Sequence, residues 1–520
     1  MNQVGHIFAK DARHLRWEIA ISLALTAGFA WFYPYNFMPH TWIDQRHAAY
    51  PEMLGIFGGM LIALAPVAWW VLMTRLIHTE NLVGDRQWWV TKPYEWGDLL
   101  VAKLLSVATF VVAPLFLAES VMLAIGGFKP FEYLPSLGFN LLLTVCLVLL
   151  PLMAIAVVSS SFARMTLTIL GIAVAVVVLV MVAVQVAHGY AFAAPMGLWI
   201  DLVIVVSGLV AAIVWQYAQR RVWIARGLLG FTVVLLGVAV CLASTSVEIG
   251  MQYPRRDAPL HLTYDAGSPE KTFTQDTGAH RVGLTVPVVV SGIAQDALVN
   301  LDSVQVTAVA PDGSHWTSEW ESLWGARYDA SSKSELLPIQ VSDEFYSKEK
   351  SEPLTLQLRF AVSRMHRVGR TSISLPTGEI VVPGFGICTP DVLLHGDIGN
   401  LNCRAALRQP DLTLIGVQWS DQECMYRTPD SAPVSGDGWA GEASPALAEF
   451  GLSPVFGINL SLSNGTRLDS HGGNQGTRYL CPGTPVTFTR YALVGRSEYD
   501  VTFADYHAPT MPFAMTLQLH

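Results

Sequence analysis

The chain has 520 residues, 52% of them hydrophobic and 14% charged, with a formal net charge of −9. A soluble domain usually carries about 25% charged residues, so this composition, with a mean hydropathy of +0.39, excludes an ordinary soluble globule. Residues 1–245 hold 13 Lys and Arg against 11 Asp and Glu, whereas residues 246–520 hold 19 against 30; the acidic second half excludes nucleic acid as a partner, because phosphate binding needs a basic face.

A membrane-spanning helix needs roughly 20 mainly apolar residues. Seven such runs follow one another at 17–33, 53–73, 99–125, 137–158, 166–187, 198–217 and 228–244. One such run is compatible with a buried soluble helix, but seven in succession are not. The first also has the form of a signal peptide, with Lys10, Arg13 and Arg16 before it, yet no small-x-small cleavage site follows and six more apolar runs do. One set of flanks holds Lys10, Arg13, Arg16, Arg75, Arg86, Lys92, Arg164, Arg220, Arg221 and Arg226, and the opposite short loops hold only Arg46 and Lys129. By the positive-inside rule the N-terminus is cytoplasmic, and an odd number of spans puts the C-terminal half outside, in a plasma or inner membrane.

After residue 246 apolar runs give way to period-two alternation. Leu354, Leu356, Leu358 and Phe360 alternate with polar residues, as do Phe513, Met515, Leu517 and Leu519; these are strands with one buried face. Pro311-Asp312-Gly313 and Pro376-Thr377-Gly378 are turn signals. The expected organisation is an α-helical transmembrane bundle over 1–245, a linker over 246–259, and an all-β, sandwich-like region divided into modules at 260–368 and 369–520. The Pro-, Gly-, Ser- and Ala-rich stretch 425–450 reads as a long loop.

Cys146 and Cys241 lie in apolar runs, but Cys388, Cys403, Cys424 and Cys481 all fall in the second module. Disulfides persist in oxidising compartments, which agrees with the charge rule. Four cysteines allow three pairings; joining neighbours, Cys388 with Cys403 and Cys424 with Cys481, closes the shorter loops. Zinc is the rival use, but no Cys-x-x-Cys pair is present, and no metal or cofactor is expected. No nucleophile elbow or His-Glu-x-x-His helix occurs. His395 with Asp397, and Asp505 with His507, read as surface polar pairs. Asn464-Gly465-Thr466 matches a glycosylation sequon. Glu119 lies inside the third run about six residues from its outer end, either as a functional intramembrane carboxyl or as one that snorkels to water.

The loop between the second and third runs is charged and aromatic, and holds Glu80, Gly84, Arg86, Trp88, Trp89, Pro93 and, beyond it, Lys103. Glu80, Gly84, Pro93 and Lys103 stand where the ABC-2 type permeases, the membrane subunits of a class of ABC transporters, carry a Glu, a Gly, a Pro and a Lys. The chain resembles that family over residues 5–220. The resemblance implies that this loop is a coupling helix docked on an ATPase, and that residues 6–17 form an interfacial helix with Ile7, Ala12 and Leu15 opposite Lys10, Arg13 and Arg16. The family usually ends after six spans, in the cytoplasm; a seventh span with a large outer domain is a departure. A belt of aromatic residues at the membrane interface is the plain alternative for Trp88, Trp89, Tyr94 and Trp96.

No phosphate-loop motif occurs, so ATP hydrolysis is expected in a separate subunit and not in this chain. The expectation is therefore the membrane subunit of an ABC-2 type transporter for an unidentified substrate. It would be paired as a homodimer or heterodimer, sit in the lipid bilayer and be driven in trans by an ATPase. The alternative is a membrane-anchored outer module that binds or senses without transport.

Overall fold

A computed structural model describes residues 3–33, 49–79, 95–171, 174, 197–242, 245–255, 260–265, 275–276, 281–323, 326–330, 332, 334–349, 351–375, 378–383, 386–392, 398–406, 413–420, 435–443, 454–461 and 481–507. The chain divides into two compact units, Met1–Ala173 with Ile204–Val234 and Val368–Arg490, and Val174–Val203 with Leu235–Arg367 and Tyr491–His520.

The helices are α1 Gln3–His14, α2 Arg16–Phe32, α3 Ala49–His78, α4 Trp96–Ile125, α5 Pro130–Val158, α6 Phe162–Gly171, α7 Gly197–Gln219 and α8 Val222–Leu242. Helix forms at each predicted apolar run, although most of the fifth, 166–187, lies outside the described residues. The expectation of about seven spans is not upheld at that count. Among the described residues three helices are long and apolar enough to cross a membrane, namely α4, α5 and Asp201–Gln219 of α7. Of the other helices, α2 has 17 residues, and Ala63–His78, Phe162–Gly171 and Val222–Gly237 are apolar stretches of 10–17 residues among the described residues. α4 and α5 carry exposed Leu105, Leu117, Leu142 and Leu147, the all-round apolarity of a helix meant for lipid.

Both long helices contain a proline and survive it by the same device. A π turn at Ala108–Val112 precedes Pro114, and another at Val145–Leu149 precedes Pro151. The amide of Ala113 bonds to the carbonyl of Ala108, and that of Leu150 to Val145. The widened turn makes room for a ring that would otherwise clash with the preceding turn.

Two apolar clusters mark opposite ends of α4 and α5. At one end Ile7 of α1 packs with Ile77, Leu99, Ala102, Met153, Val157, Met165, Ile213 and Tyr217. This cluster joins the last residues of α3, α5 and α7 to the first of α4 and α6, as expected of helices that alternate in direction. At the other end Leu123, Tyr133 and Leu137 pack with Ala406 and Val455, which belong to strands of the same unit. Gly127, in the turn between α4 and α5, has φ +85°, and a Cβ there would meet Ile387 Cδ1 at 2.3 Å; the close approach requires glycine.

These strands are β10 Ile380–Val382, β11 Gly386–Val392, β12 Ile398–Ala406 and β15 Val455–Ser461, an antiparallel sheet in the order β10-β11-β12-β15. Cys388 and Cys403 are cross-strand partners and form a disulfide inside a core with Leu375, Leu401, Val417 and Phe488. The expected neighbour pairing holds for this pair. Cys481 is also disulfide-bonded, and Cys424 lies outside the described residues. One correction concerns 425–450: within it Ser435–Ala443 is a strand antiparallel to Thr413–Ser420, not a loop. Its Gly-rich composition hid it, because it pairs at the end of its sheet and carries no alternating apolar set.

The second unit is a sandwich. One sheet centres on β3 Arg281–Ser291, flanked by β1 His261–Tyr264, β2 Gln275–Asp276 and β8 Ser334–Ser342. In the other, β4 Ala297–Val309 pairs with the long strand β9 Pro353–Ser374 and with three short strands within 315–329. Leu284, Val286 and Val288 of the first sheet share one core with Val304 and Val306 of β4 and with Leu354, Leu356, Leu358 and Phe360 of β9. The alternation seen in 354–360 is thus a buried face. The turn at Pro311-Asp312-Gly313 is present, with Gly313 at φ +86° and the Asp312 carboxylate accepting from the Ser314 amide. The predicted strand at 513–519 lies outside the described residues.

A short helix, α9 Thr245–Gln252, leads into this sandwich, where Ile249 and Tyr253 pack on Trp320 and Ala361. The Tyr253 hydroxyl donates to Asp302 at 2.9 Å, and Ser363 and Asn300 also donate to that carboxylate. Burial holds the Asp302 carboxyl above the ordinary carboxylate range, opposed by these hydrogen bonds and by Arg496. A carboxyl raised in the fold stabilises it at acid pH, and that contribution is lost as pH climbs from about 4 through the raised value. Asp302→Asn, which keeps an oxygen for Tyr253 and Ser363, should flatten the fall in unfolding temperature over that window. Asp302→Leu should cost about 1–3 kcal/mol at every pH, because three buried donors, Tyr253, Ser363 and Asn300, lose their acceptor. Thermal unfolding of the full chain in detergent against pH checks both.

Candidate functional site

Of the residues expected to couple to an ATPase, Glu80, Gly84, Arg86, Trp88, Trp89 and Pro93 lie outside the described residues. Both edges of their loop are described. α3 runs to His78, and α4 starts at Trp96 after Glu95 in extended conformation. His78 Nε2 lies 3.0 Å from the Ala156 carbonyl, tying the end of α3 to α5.

Lys103 is the expected coupling residue that the structure places. It is 0% exposed and is held inside the unit, with Nζ 2.7 Å from Asp11 Oδ2 and 3.2 Å from Thr79 Oγ1. Asp11 is 1% exposed. The pair joins three elements: α1 through Asp11, the end of α3 through Thr79, and the first turns of α4 through Lys103. Local sequence explains the arrangement. Ile7, Asp11 and Leu15 recur every four residues and form the buried face of this stretch, while Leu99, Ala102, Lys103 and Ser106 form that of α4.

A helix is present where the interfacial helix was expected, and the buried face of this stretch is Ile7, Asp11 and Leu15 rather than Ile7, Ala12 and Leu15. Asp11 was missed because a charge on an amphipathic helix is normally assigned to water. The signal available in the sequence is its spacing, four residues from each of two apolar neighbours. Beside the pair lies a small hollow lined by Asp11, Leu15, Met73, Ser106 and Phe110 among others.

Glu119 is 0% exposed, and neither carboxylate oxygen has a hydrogen-bond partner among the described residues. It does not snorkel. Asp505 and His507 form a local contact, Nδ1 to the Asp505 carbonyl at 3.0 Å, and His395 and Asp397 lie outside the described residues. Among the described residues no group of three or more His, Cys, Asp or Glu is placed to hold a metal. No family model matches this sequence, and no curated protein matches it either.

A buried charge that loses its partner is left desolvated and uncompensated, at a cost of about 3–5 kcal/mol, whereas an apolar pair of similar volume is often neutral or better. Lys103→Met should therefore destabilise the first unit by that amount. Adding Asp11→Leu to Lys103→Met should restore most of it. Unfolding of the detergent-solubilised chain by denaturant measures both.

Proposed function

We propose that this chain is the membrane subunit of an ABC-2 type transporter, driven by an ATPase supplied by another chain. The observation that carries the reading is the Asp11–Lys103–Thr79 junction. It fastens an N-terminal amphipathic helix to Thr79 and to the first turns of α4, so that α1, the end of α3 and the start of α4 form one face at one end of the bundle. Such a face suits a partner that must move the spans, because a push on a clamped helix reaches α3 and α4 together.

Two further features support the reading. α1 and the strands β12 and β15 sit at opposite ends of α4 and α5, in keeping with a cytoplasmic N-terminus and an outer β region. The basic residues gather at the α1 end. On this reading all seven apolar runs cross the bilayer, two membrane subunits pair, and the outer region receives or gates a substrate whose class the residues do not reveal.

Trp88 and Trp89 are the anchors to test, since aromatic residues and Arg dominate interface energetics. In mild detergent an ATPase should co-purify with the wild-type chain. Trp88→Ala with Trp89→Ala should weaken that association at least tenfold while membrane insertion is unchanged. Full association by the double variant would assign these residues to an interfacial belt. Absence of any ATPase from the wild type would favour an anchored binding or sensory module.

A further inference from the structure

Besides the Asp11–Lys103 pair, the described residues of α1–α8 bury one more charged side chain, Glu119, and its carboxylate oxygens have no hydrogen-bond partner among them. Glu119 of α4 lies six residues before the end of that helix, and Asn140 of α5 lies six residues after Leu134, where regular α-helix begins. At 1.5 Å per residue both sit roughly 9 Å below the turn that joins the two helices, at the same depth. They also share a side. Phe116 and Leu123 flank Glu119 at helical spacing, Tyr133 and Leu137 precede Asn140 in the same way, and all four belong to one apolar cluster. Glu119 is 0% and Asn140 1% exposed. Glu119 Oε1 and Oε2 and Asn140 Oδ1 have no hydrogen-bond partner among the described residues.

A buried carboxylate is tolerated when a positive charge accompanies it, and among the described residues no Lys or Arg is bonded to Glu119. Lys103 is the sole Lys or Arg in the seven apolar runs. It stands sixteen residues away along α4, roughly 24 Å, and is already bound to Asp11. We infer that Glu119 and Asn140 form an intramembrane site for an exchangeable single positive charge, a proton or a small alkali cation. Three oxygens suit either, since both favour hard oxygen donors. A transition metal would want several His, Cys or carboxylate ligands, and no group of three or more is placed to hold one among the described residues. The site stands whether or not an ATPase drives the chain, because it rests on the α4–α5 pair alone.

A hydrophobic carbodiimide tests it. The reagent adds to a protonated carboxyl in an apolar site and rearranges to a stable N-acylurea, which mass spectrometry locates on the peptide bearing Glu119. The full-length protein in detergent is labelled across about pH 5–9, with sodium chloride or with choline chloride at equal ionic strength. Labelling at Glu119 should fall at least tenfold from the acid to the alkaline end. Protection by sodium at fixed pH assigns the site to an alkali cation. Dependence on pH with indifference to sodium assigns it to the proton. Asn140→Leu should shift the pH midpoint or abolish the sodium protection, and a hydrogen-exchange profile matching wild type elsewhere shows that this variant folds. Absence of Glu119 labelling at every pH, or labelling that responds to neither pH nor sodium, overturns the inference.

Discussion

The arrangement of the helical unit depends on one ion pair. Asp11 and Lys103 are 92 residues apart in sequence, 2.7 Å apart in space and almost wholly shielded from solvent. An isolated charge at either position would be strongly disfavoured, so each residue effectively requires the other. The surrounding cluster of Ile7, Ile77, Leu99 and Ala102 provides attraction without direction. The pair provides direction, since a short charge-assisted hydrogen bond admits few geometries. It thereby sets the rotation of α1 about its own axis, the depth at which α4 begins and, through Thr79, the place where α3 ends. Thr79 and the start of α4, the described residues on either side of 80–94, are both held by this junction.

The opposite end of the unit is built on a different constraint. There a glycine with positive φ lets the α4–α5 turn approach Ile387 closely, and Leu123, Tyr133 and Leu137 close an apolar layer with Ala406 and Val455. The strands met there are also the ones stapled by Cys388–Cys403. A surface rigid enough to receive the turn is thus secured covalently as well as by packing. Between the two ends, the π turns before Pro114 and Pro151 let both long helices continue past prolines without losing direction. Glu119 and Asn140 lie just inside the layer at the strand end.

Much of this was legible wherever one physical period dominates. The alternation of Leu354 through Phe360 emerged as a buried sheet face, because a strand with one face in the core has no other way to arrange those residues. The helices stand where apolar runs were read, yet a run's existence does not set its length. α2 has 17 residues, and among the described residues three helices are long and apolar enough to cross a membrane. Asp11 was illegible because its partner is 92 residues away, and no local pattern announces a long-range ion pair. The strand at 435–443 escaped notice for the reverse reason: its pairing is backbone hydrogen bonding with Thr413–Ser420, which glycine and serine make as well as valine does.

The central claim is that the Asp11–Lys103 pair holds the N-terminal helix in place and so shapes the end of the bundle. Amide hydrogen exchange of residues 3–14 in the wild-type chain and in Lys103→Met tests it most directly, since exchange reports local opening. The account predicts that exchange across α1 accelerates at least tenfold in the variant, while the amides of α5 keep their protection. If α1 stays as protected in Lys103→Met as in the wild type, apolar packing alone holds the helix and the account is contradicted.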